Sequence, residues 1–261
     1  MPWQTHWDQR DSLSCKSQKI NIFFCNYTPN MQKIISKYFD EFTTMSEASH
    51  TAVVEIANRE GIEMDKIILA TSFCFDELNH HQAKMKLPIT QGTFIMGGLA
   101  GYPFVGEIGL NAFADHIPDD GAALFIFGSH IGISASGEVG KVKRVGQHRH
   151  TNTCGALMLV QEHVLSSSIL KIDPVDHSGF QAEFLALRLS PMADEIRKSE
   201  EPILKTTHLV YDEIENEILK LIINSKSLQS NFPIYILGGV VINTDETLPN
   251  YFSQKVFRKV R

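Results

Sequence analysis

Two patterns of hydrophobic residues alternate along much of this chain. Short runs of branched and aromatic apolar residues are typical of strands that are buried on both faces of a sheet. Such runs lie at 66–71, 122–127 and 234–237. Apolar residues at helical spacing occupy the segments around and between them. Helices are predicted at 30–45, 46–59, 76–84, 154–165, 181–189 and 204–223. Strands that alternate with helices indicate an α/β fold with a mainly parallel sheet.

The organisation of the chain is that of a single domain. Its 261 residues allow one large domain or two small ones, but no repeat, low-complexity stretch or Pro/Gly-rich linker divides them. We therefore expect one domain over residues 1–261. Residues 1–60 are predicted to be an N-terminal lead-in with helices, and residues 61–245 are predicted to form the core that carries the site.

Charge and composition exclude several classes of protein. The net charge is −6 and the pI is near 6.0, which argues against a nucleic-acid-binding protein. The basic cluster at the C-terminus (Lys255, Arg258, Lys259 and Arg261) is interpreted as a solvated tail. The longest apolar run falls short of the 18 or so residues of a transmembrane helix, and the polar N-terminus resembles no secretory signal, so no membrane association is predicted. A cytoplasmic protein is expected.

Three side chains that can bind a soft metal ion lie where the predicted elements begin or end. Cys74 follows the first buried strand, His130 follows the second, and Cys154 opens a predicted helix. In open α/β sheets, sites form at the carboxyl ends of strands, and a helix N-terminus favours a thiolate. Two cysteines and one histidine are a ligand set of catalytic zinc sites, which keep a fourth position for water. The residues alone leave a second interpretation open, in which these are small buried apolar residues and a hydrogen-bonded core histidine.

Other chemistries find no support in the sequence. The stretch 92–109 is dense in glycine, which indicates tight turns or close backbone approaches, but it matches no phosphate-binding or dinucleotide fingerprint. The signatures of serine hydrolases (G-x-S-x-G), zinc deaminases and H-E-x-x-H zinc peptidases are absent.

An ordered set of motifs resembles one known family. Cys74-Phe75-Asp76, after a predicted strand, resembles the Cys-x-Asp-x-Arg element of β-carbonic anhydrases. The more specific motifs are the glycine-rich stretch 97–106, the block 127–133 with 137–142 behind it, Cys154-Gly155-Ala156, and the segment 238–244. This set is similar to the limiting CO2-inducible B/C family, also called θ-carbonic anhydrases. The resemblance spans about residues 70–245, which is most of the chain.

The resemblance implies a fold, a site and a reaction. It implies that Cys74, His130 and Cys154 are the zinc ligands and that Asp76 is the catalytic aspartate beside the metal. The implied fold is β-carbonic-anhydrase-like, with a short, mostly parallel sheet flanked by helices, here with a helical N-terminal extension. The implied reaction is the reversible hydration of CO2 to bicarbonate and a proton by zinc-bound hydroxide. The expected cofactor is therefore Zn²⁺, and the expected partners are CO2, bicarbonate and a second copy of the chain in a homodimer.

Two departures from ordinary β-carbonic anhydrases matter. Those enzymes place their second cysteine three residues after the histidine, where this chain has Ile133. Their Cys-x-Asp-x-Arg motif ends in an arginine that keeps the aspartate ionised and turned away from zinc, and Leu78 stands there instead. Two outcomes stay open. Asp76 could ligate zinc and silence the site, leaving a structural or bicarbonate-binding protein. Alternatively, another cation could hold it, with three candidates: Arg144, Arg149 and His80.

Overall fold

One mixed, mostly parallel sheet forms the centre of the fold. The computed structural model describes residues 30–79, 92–166, 179–229, 232–246 and 248–261. Within these residues the sheet has six strands: β1 Thr43–Thr44, β2 Ile67–Ser72, β3 Phe94–Ile95, β4 Ala122–Gly132, β7 Ile234–Asn243 and β8 Tyr251–Lys259. A separate hairpin pairs β5 (Lys141–Val142) with β6 (Thr151–Asn152). The order in the sheet is β1-β8-β7-β4-β2-β3. The four neighbouring strands β3, β2, β4 and β7 are parallel to one another, whereas β8 runs antiparallel to both β7 and β1.

Helices cover both faces of this sheet. Their bounds are α1 Met45–Glu60, α2 Gly106–Ala114, α3 Gly155–Leu165, α4 Phe180–Leu189, α5 Ala193–Lys198 and α6 Pro202–Asn224, and residues 30–35 are also helical. The apolar side of α1 packs on one face, against alternate residues of β2, β4 and β7. The remaining helices, from α2 to α6, pack with the other face. None of the helices in the described residues has the length and apolar composition needed to cross a bilayer.

The buried strands were predictable because β2, β4 and β7 are covered on both faces. Every residue of these three strands is buried, as near-continuous apolar runs require. The register of β4 with β7 brings the two backbones very close at Gly128 and Gly239, where a Cβ on Gly128 would lie 1.9 Å from the carbonyl oxygen of Gly239. The expected α/β class and the mostly parallel sheet are confirmed.

Several predicted elements differ from the structure. The helix predicted over 30–45 ends at residue 35, because the chain turns there and Thr43–Thr44 pair with β8. The predicted helix 76–84 is a short turn of 3-10 helix over 77–79, and its remainder lies outside the described residues.

The C-terminal cluster of basic residues is not a free tail. Lys255, Arg258 and Lys259 lie on β8, which pairs with β7 along its length. Charged side chains are common on strands near the edge of a sheet, where they discourage pairing with other chains. Because β8 has these charged residues and lacks a continuous apolar run, the sequence did not predict it as a strand.

Candidate metal centre

Cys74 lies just beyond the carboxyl end of β2, under a loop that approaches it closely. The hydroxyl of Ser72 donates a hydrogen bond to the carbonyl of Gly101 (2.8 Å), which holds the loop against the end of the strand. Gly101 has φ of +93°, and a Cβ there would lie 2.5 Å from the carbonyl oxygen of Gly128 and 3.3 Å from the amide nitrogen of Cys74. Only glycine tolerates both this conformation and this proximity. One role of the glycine-rich stretch is therefore to let the backbone close over Cys74.

His130 and Cys154 reach the same place from two other elements. His130 lies inside β4, two residues before its end, rather than after the strand as the sequence suggested. Cys154 is the N-cap of α3, and its sulfur accepts a hydrogen bond from the amide of Leu157 (3.3 Å). The sequence interpretation of Cys154 as a thiol at a helix start is confirmed.

These three side chains form one buried cluster. Cys74, His130 and Cys154 are each at least 95% buried, and their candidate ligand atoms all lie within 4.8 Å of one another. The two sulfur atoms are 4.0 Å apart. Among the described residues, no protein atom accepts from or donates to Nε2 of His130, although this nitrogen is buried. A buried polar atom without a partner is costly, and a cation held between two sulfurs and this nitrogen would satisfy it.

The electrostatics of the cluster also suit a cation. A hydrogen bond from Cys154 lowers the pKa of the Cys74 thiol to about 4. The hydrogen bond to Cys74 in turn raises the pKa of Cys154, so the pair holds one proton firmly. Burial alone would lower the pKa of His130, but the neighbouring Cys74 thiolate reverses that direction and raises it. Metal binding replaces such protons, because thiolate and neutral imidazole are the ligating forms.

Asp76 lies beside the cluster and is held by a cation from a distant part of the chain. Its Oδ2 is 3.2 Å from Nη2 of Arg144, and its Oδ1 accepts a hydrogen bond from the backbone amide of Leu78 (3.0 Å). Leu78 therefore contributes only its amide where a β-carbonic anhydrase would have an arginine. Burial raises the pKa of the Asp76 carboxyl, and the hydrogen bond from the Leu78 amide is the main effect that opposes this rise.

Arg144 forms hydrogen bonds both with Asp76 and with the segment that leads into Cys154. Its other donors go to Oε1 of Glu77 (2.6 Å), the carbonyls of Asn152 and Thr153 (both 2.8 Å) and Oγ1 of Thr151 (2.9 Å). All five N–H groups of a guanidinium can be used in this way. The bond to Thr153 reaches the residue before the second cysteine, so Arg144 joins the loop of Cys74 to that of Cys154.

The sequence offered three cations for Asp76, and the structure favours one of them. Arg144 makes the contact, and its side chain is only 17% exposed. Arg149 is exposed on the same loop, and His80 lies outside the described residues. Arg144 is 68 residues from Asp76 in the chain. A pair this far apart cannot be predicted from a local sequence motif.

Asn243 was not among the predicted site residues. It ends β7, is fully buried, and its Oδ1 lies 2.8 Å from Nδ1 of His130. Its position at the carboxyl end of the third buried strand is the signal that could have marked it, because side chains at that edge of a parallel sheet converge.

The fold and the cluster together define a class of protein: an α/β protein with a buried Cys₂His centre at the carboxyl edge of a parallel sheet. The family model for limiting CO2-inducible proteins B/C beta carbonic anhydrases matches residues 43–261. The chain belongs to this family. Its Cys-His-Cys cluster is compatible with zinc.

Solved structures agree with this assignment. The chain is 28% identical to PtLCIB4, a homolog of the limiting CO2-inducible protein LCIB, over 87% of this chain and 94% of the other, with a TM-score of 0.78. For a mutant of PtLCIB4 the identity is 27%, over 88% and 98% of the two chains, with a TM-score of 0.72. The limiting CO2-inducible protein LCIB itself shares the fold, with 19% identity, 86% and 92% coverage, and a TM-score of 0.62. A search of curated proteins found no match.

Proposed function

We propose that this protein is a zinc-dependent carbonic anhydrase that catalyses the reversible hydration of CO2 to bicarbonate and a proton. In this proposal Cys74, His130 and Cys154 bind the zinc ion. When bound, zinc would supply a Lewis acid that lowers the pKa of a coordinated water from 15.7 toward about 7 and so provides a nucleophile near neutral pH. Two thiolates neutralise the charge of the ion, and the imidazole completes a three-ligand set of the catalytic type.

The observation that carries the proposal is the contact between Arg144 and Asp76. A carboxylate beside a dication could become a fourth ligand and close the site. Here the Asp76 carboxylate is held on one oxygen by Arg144 and on the other by the Leu78 amide, and it is not part of the cluster of candidate ligand atoms. Held in this way, Asp76 can accept a hydrogen bond from the attacking group and orient it toward CO2.

A silent zinc-binding homologue is the alternative function, and the replacement of the arginine by Leu78 favours it. In that case Asp76 would be the fourth ligand, and the protein would act as a structural or bicarbonate-binding partner. Arg144 weighs against this alternative, because it provides from elsewhere in the chain the guanidinium that position 78 lacks. The homodimer, the cytoplasmic location and the single domain over residues 1–261 stay predictions.

Stopped-flow measurement of CO2 hydration tests the proposal. The zinc-loaded protein is assayed from about pH 7 to about pH 9, the range in which a zinc-activated water titrates. We expect activity that rises with pH and is lost in Cys74→Ala. Cys25→Ala is the matched control, because Cys25 lies outside the residues that match the family. Full zinc occupancy without activity above that of Cys74→Ala would contradict the proposal and support the silent alternative.

A further inference from the structure

The position of Asn243 is set by the register between β4 and β7. His130 is aligned with Val241 in this parallel pair, and Asn243 lies two residues farther along β7. Because side chains alternate between the faces of a sheet, Asn243 lies on the same face as His130 and diagonally beside it. Both side chains are at least 98% buried. The His130 ring and the Asn243 amide must therefore form their hydrogen bonds with protein groups rather than with bulk water.

The orientation of the Asn243 amide follows from its second partner. Its Nδ2 lies 3.4 Å from the carbonyl oxygen of Leu78, and a carbonyl oxygen can only accept. The NH₂ group must therefore face Leu78, and Oδ1 must face His130, at 2.8 Å from Nδ1. Since Oδ1 can only accept, Nδ1 of His130 must carry the hydrogen.

This arrangement selects one tautomer of the histidine. A neutral imidazole carries one N–H, so a hydrogen on Nδ1 leaves Nε2 with a free lone pair. Nε2 is the nitrogen that has no protein partner among the described residues. We propose that Asn243 is a positioning residue that fixes His130 in the Nδ1–H form and so presents Nε2, beside the two thiols, as the metal-binding atom. This inference builds on the proposed metal centre but not on the hydration of CO2.

Asn243 also ties His130 to the loop of the first cysteine. Leu78 follows Cys74 by four residues, and its carbonyl receives hydrogen bonds from the side chains of both Asn243 and Asn250, each at 3.4 Å. Asn250 thus shares the Leu78 contact of Asn243, but its own Oδ1 accepts from the amide of Thr244 (3.0 Å). Asn250→Ala is therefore a matched control that weakens the Leu78 contact and leaves the His130 contact in place.

Zinc affinity, measured by competition with a chelator, is the first test. Partners of ligating histidines are worth about 10–100-fold in metal affinity, so we expect a loss of that size in Asn243→Ala. Asn243→Asp keeps an acceptor oxygen opposite Nδ1, although it replaces the donor to Leu78 by a second acceptor and adds a negative charge. Because carboxylates are common partners of ligating histidines, it is expected to recover most of the lost affinity. Asn250→Ala is expected to bind zinc within about 3-fold of the unsubstituted protein, well short of that loss of about 10–100-fold, because the hydrogen bonds of Asn250 go to Thr244 and Leu78 and to none of the candidate ligands. Equal losses in Asn243→Ala and Asn250→Ala, or no recovery in Asn243→Asp, would overturn the proposal.

Nitrogen-15 NMR of the protein loaded with cadmium-113 is the second test, and it involves no catalysis. We expect coupling of the metal to Nε2 of His130 and a slowly exchanging proton on Nδ1, with exchange of that proton accelerated in Asn243→Ala and unchanged in Asn250→Ala. Coupling of the metal to Nδ1 would overturn the proposal directly. A protein that passes both tests and does not hydrate CO2 would refute the proposed function alone, whereas failure of the unsubstituted protein to bind either metal would refute both.

Discussion

Replacement of Arg144 is the perturbation that most directly probes how the site works. Arg144→Met removes the guanidinium and keeps much of the apolar side-chain volume. The arginine donates hydrogen bonds to two carboxylates, Asp76 and Glu77, and to the backbone on either side of the end of β6. Its loss leaves Asp76 with the Leu78 amide as its remaining partner in the described structure.

The size of the effect follows from these contacts. Misplacement of a reacting group by about 1 Å can cost about 10²-fold in rate, so we expect CO2 hydration to fall by about 10²-fold in Arg144→Met. Arg144→Lys keeps the charge but cannot reproduce the planar fork that reaches Asp76 and Thr153 together, and an intermediate loss of about 10-fold is expected. Charge-assisted hydrogen bonds contribute about 1.5–3 kcal/mol each, but Glu77 is largely exposed, so the free energy of unfolding should fall by only about 2–3 kcal/mol.

The assay is stopped-flow CO2 hydration at equal zinc occupancy, with urea unfolding as a check on stability. Arg149→Met is the matched control, because Arg149 is an exposed arginine of the same loop and the change in charge is the same. If the rates of Arg144→Met and Arg149→Met agreed within about 3-fold, or about 0.7 kcal/mol, the role given to Arg144 would be refuted. Equal and large losses in both would show that the net charge of the loop matters rather than the contact with Asp76.

Three further predictions concern the stability of the fold. Gly101→Ala places a Cβ 2.5 Å from the carbonyl oxygen of Gly128 at a residue with positive φ. It should therefore lower the free energy of unfolding, measured in urea, by at least about 2 kcal/mol. An unchanged free energy would mean that the loop can move away from Gly128. Thr44→Ala removes the capping box of α1 and should cost about 1 kcal/mol in the same assay, and unchanged stability would show that the cap contributes nothing. A hydrogen bond from Lys259 lowers the pKa of Glu60 below its ordinary value of 4.5. The stabilising effect of this hydrogen bond is therefore present above pH 4.5 and is lost as the pH falls below it. The difference in the free energy of unfolding between the unsubstituted protein and Glu60→Gln should shrink as the pH falls. A difference that stays constant with pH would contradict the assignment.

The central strands and the cysteine at a helix start could be predicted because their causes are local. Burial on both faces demands the apolar runs of β2, β4 and β7, and a thiol that caps a helix is visible as a cysteine before an apolar-periodic segment. The resemblance then joined Cys74, His130 and Cys154 across gaps that spacing alone cannot bridge. The structure brings these three residues together.

The parts that could not be predicted depend on long-range pairing. Phe39 and Phe42 have helical spacing, yet the chain leaves the helix because Thr43 and Thr44 pair with β8, more than two hundred residues away in sequence. Arg144 was only one of three candidate partners for Asp76, and Asn243 was missed as the partner of His130, for the same reason. An arginine on a hairpin and an asparagine at a strand end are ordinary in sequence, and only the register of the sheet and the placement of the hairpin make them part of the site.

A crystal structure of the zinc-loaded protein at about pH 8, which is above the pKa of about 7 that zinc gives to a bound water, is the most direct test of the central claim. The account predicts zinc on Cys74, His130 Nε2 and Cys154, a solvent molecule as the fourth ligand, and Asp76 still paired with Arg144. A carboxylate oxygen of Asp76 at about 2.0–2.2 Å from the metal, with the Arg144 contact broken, would contradict the account and identify a closed, non-catalytic site.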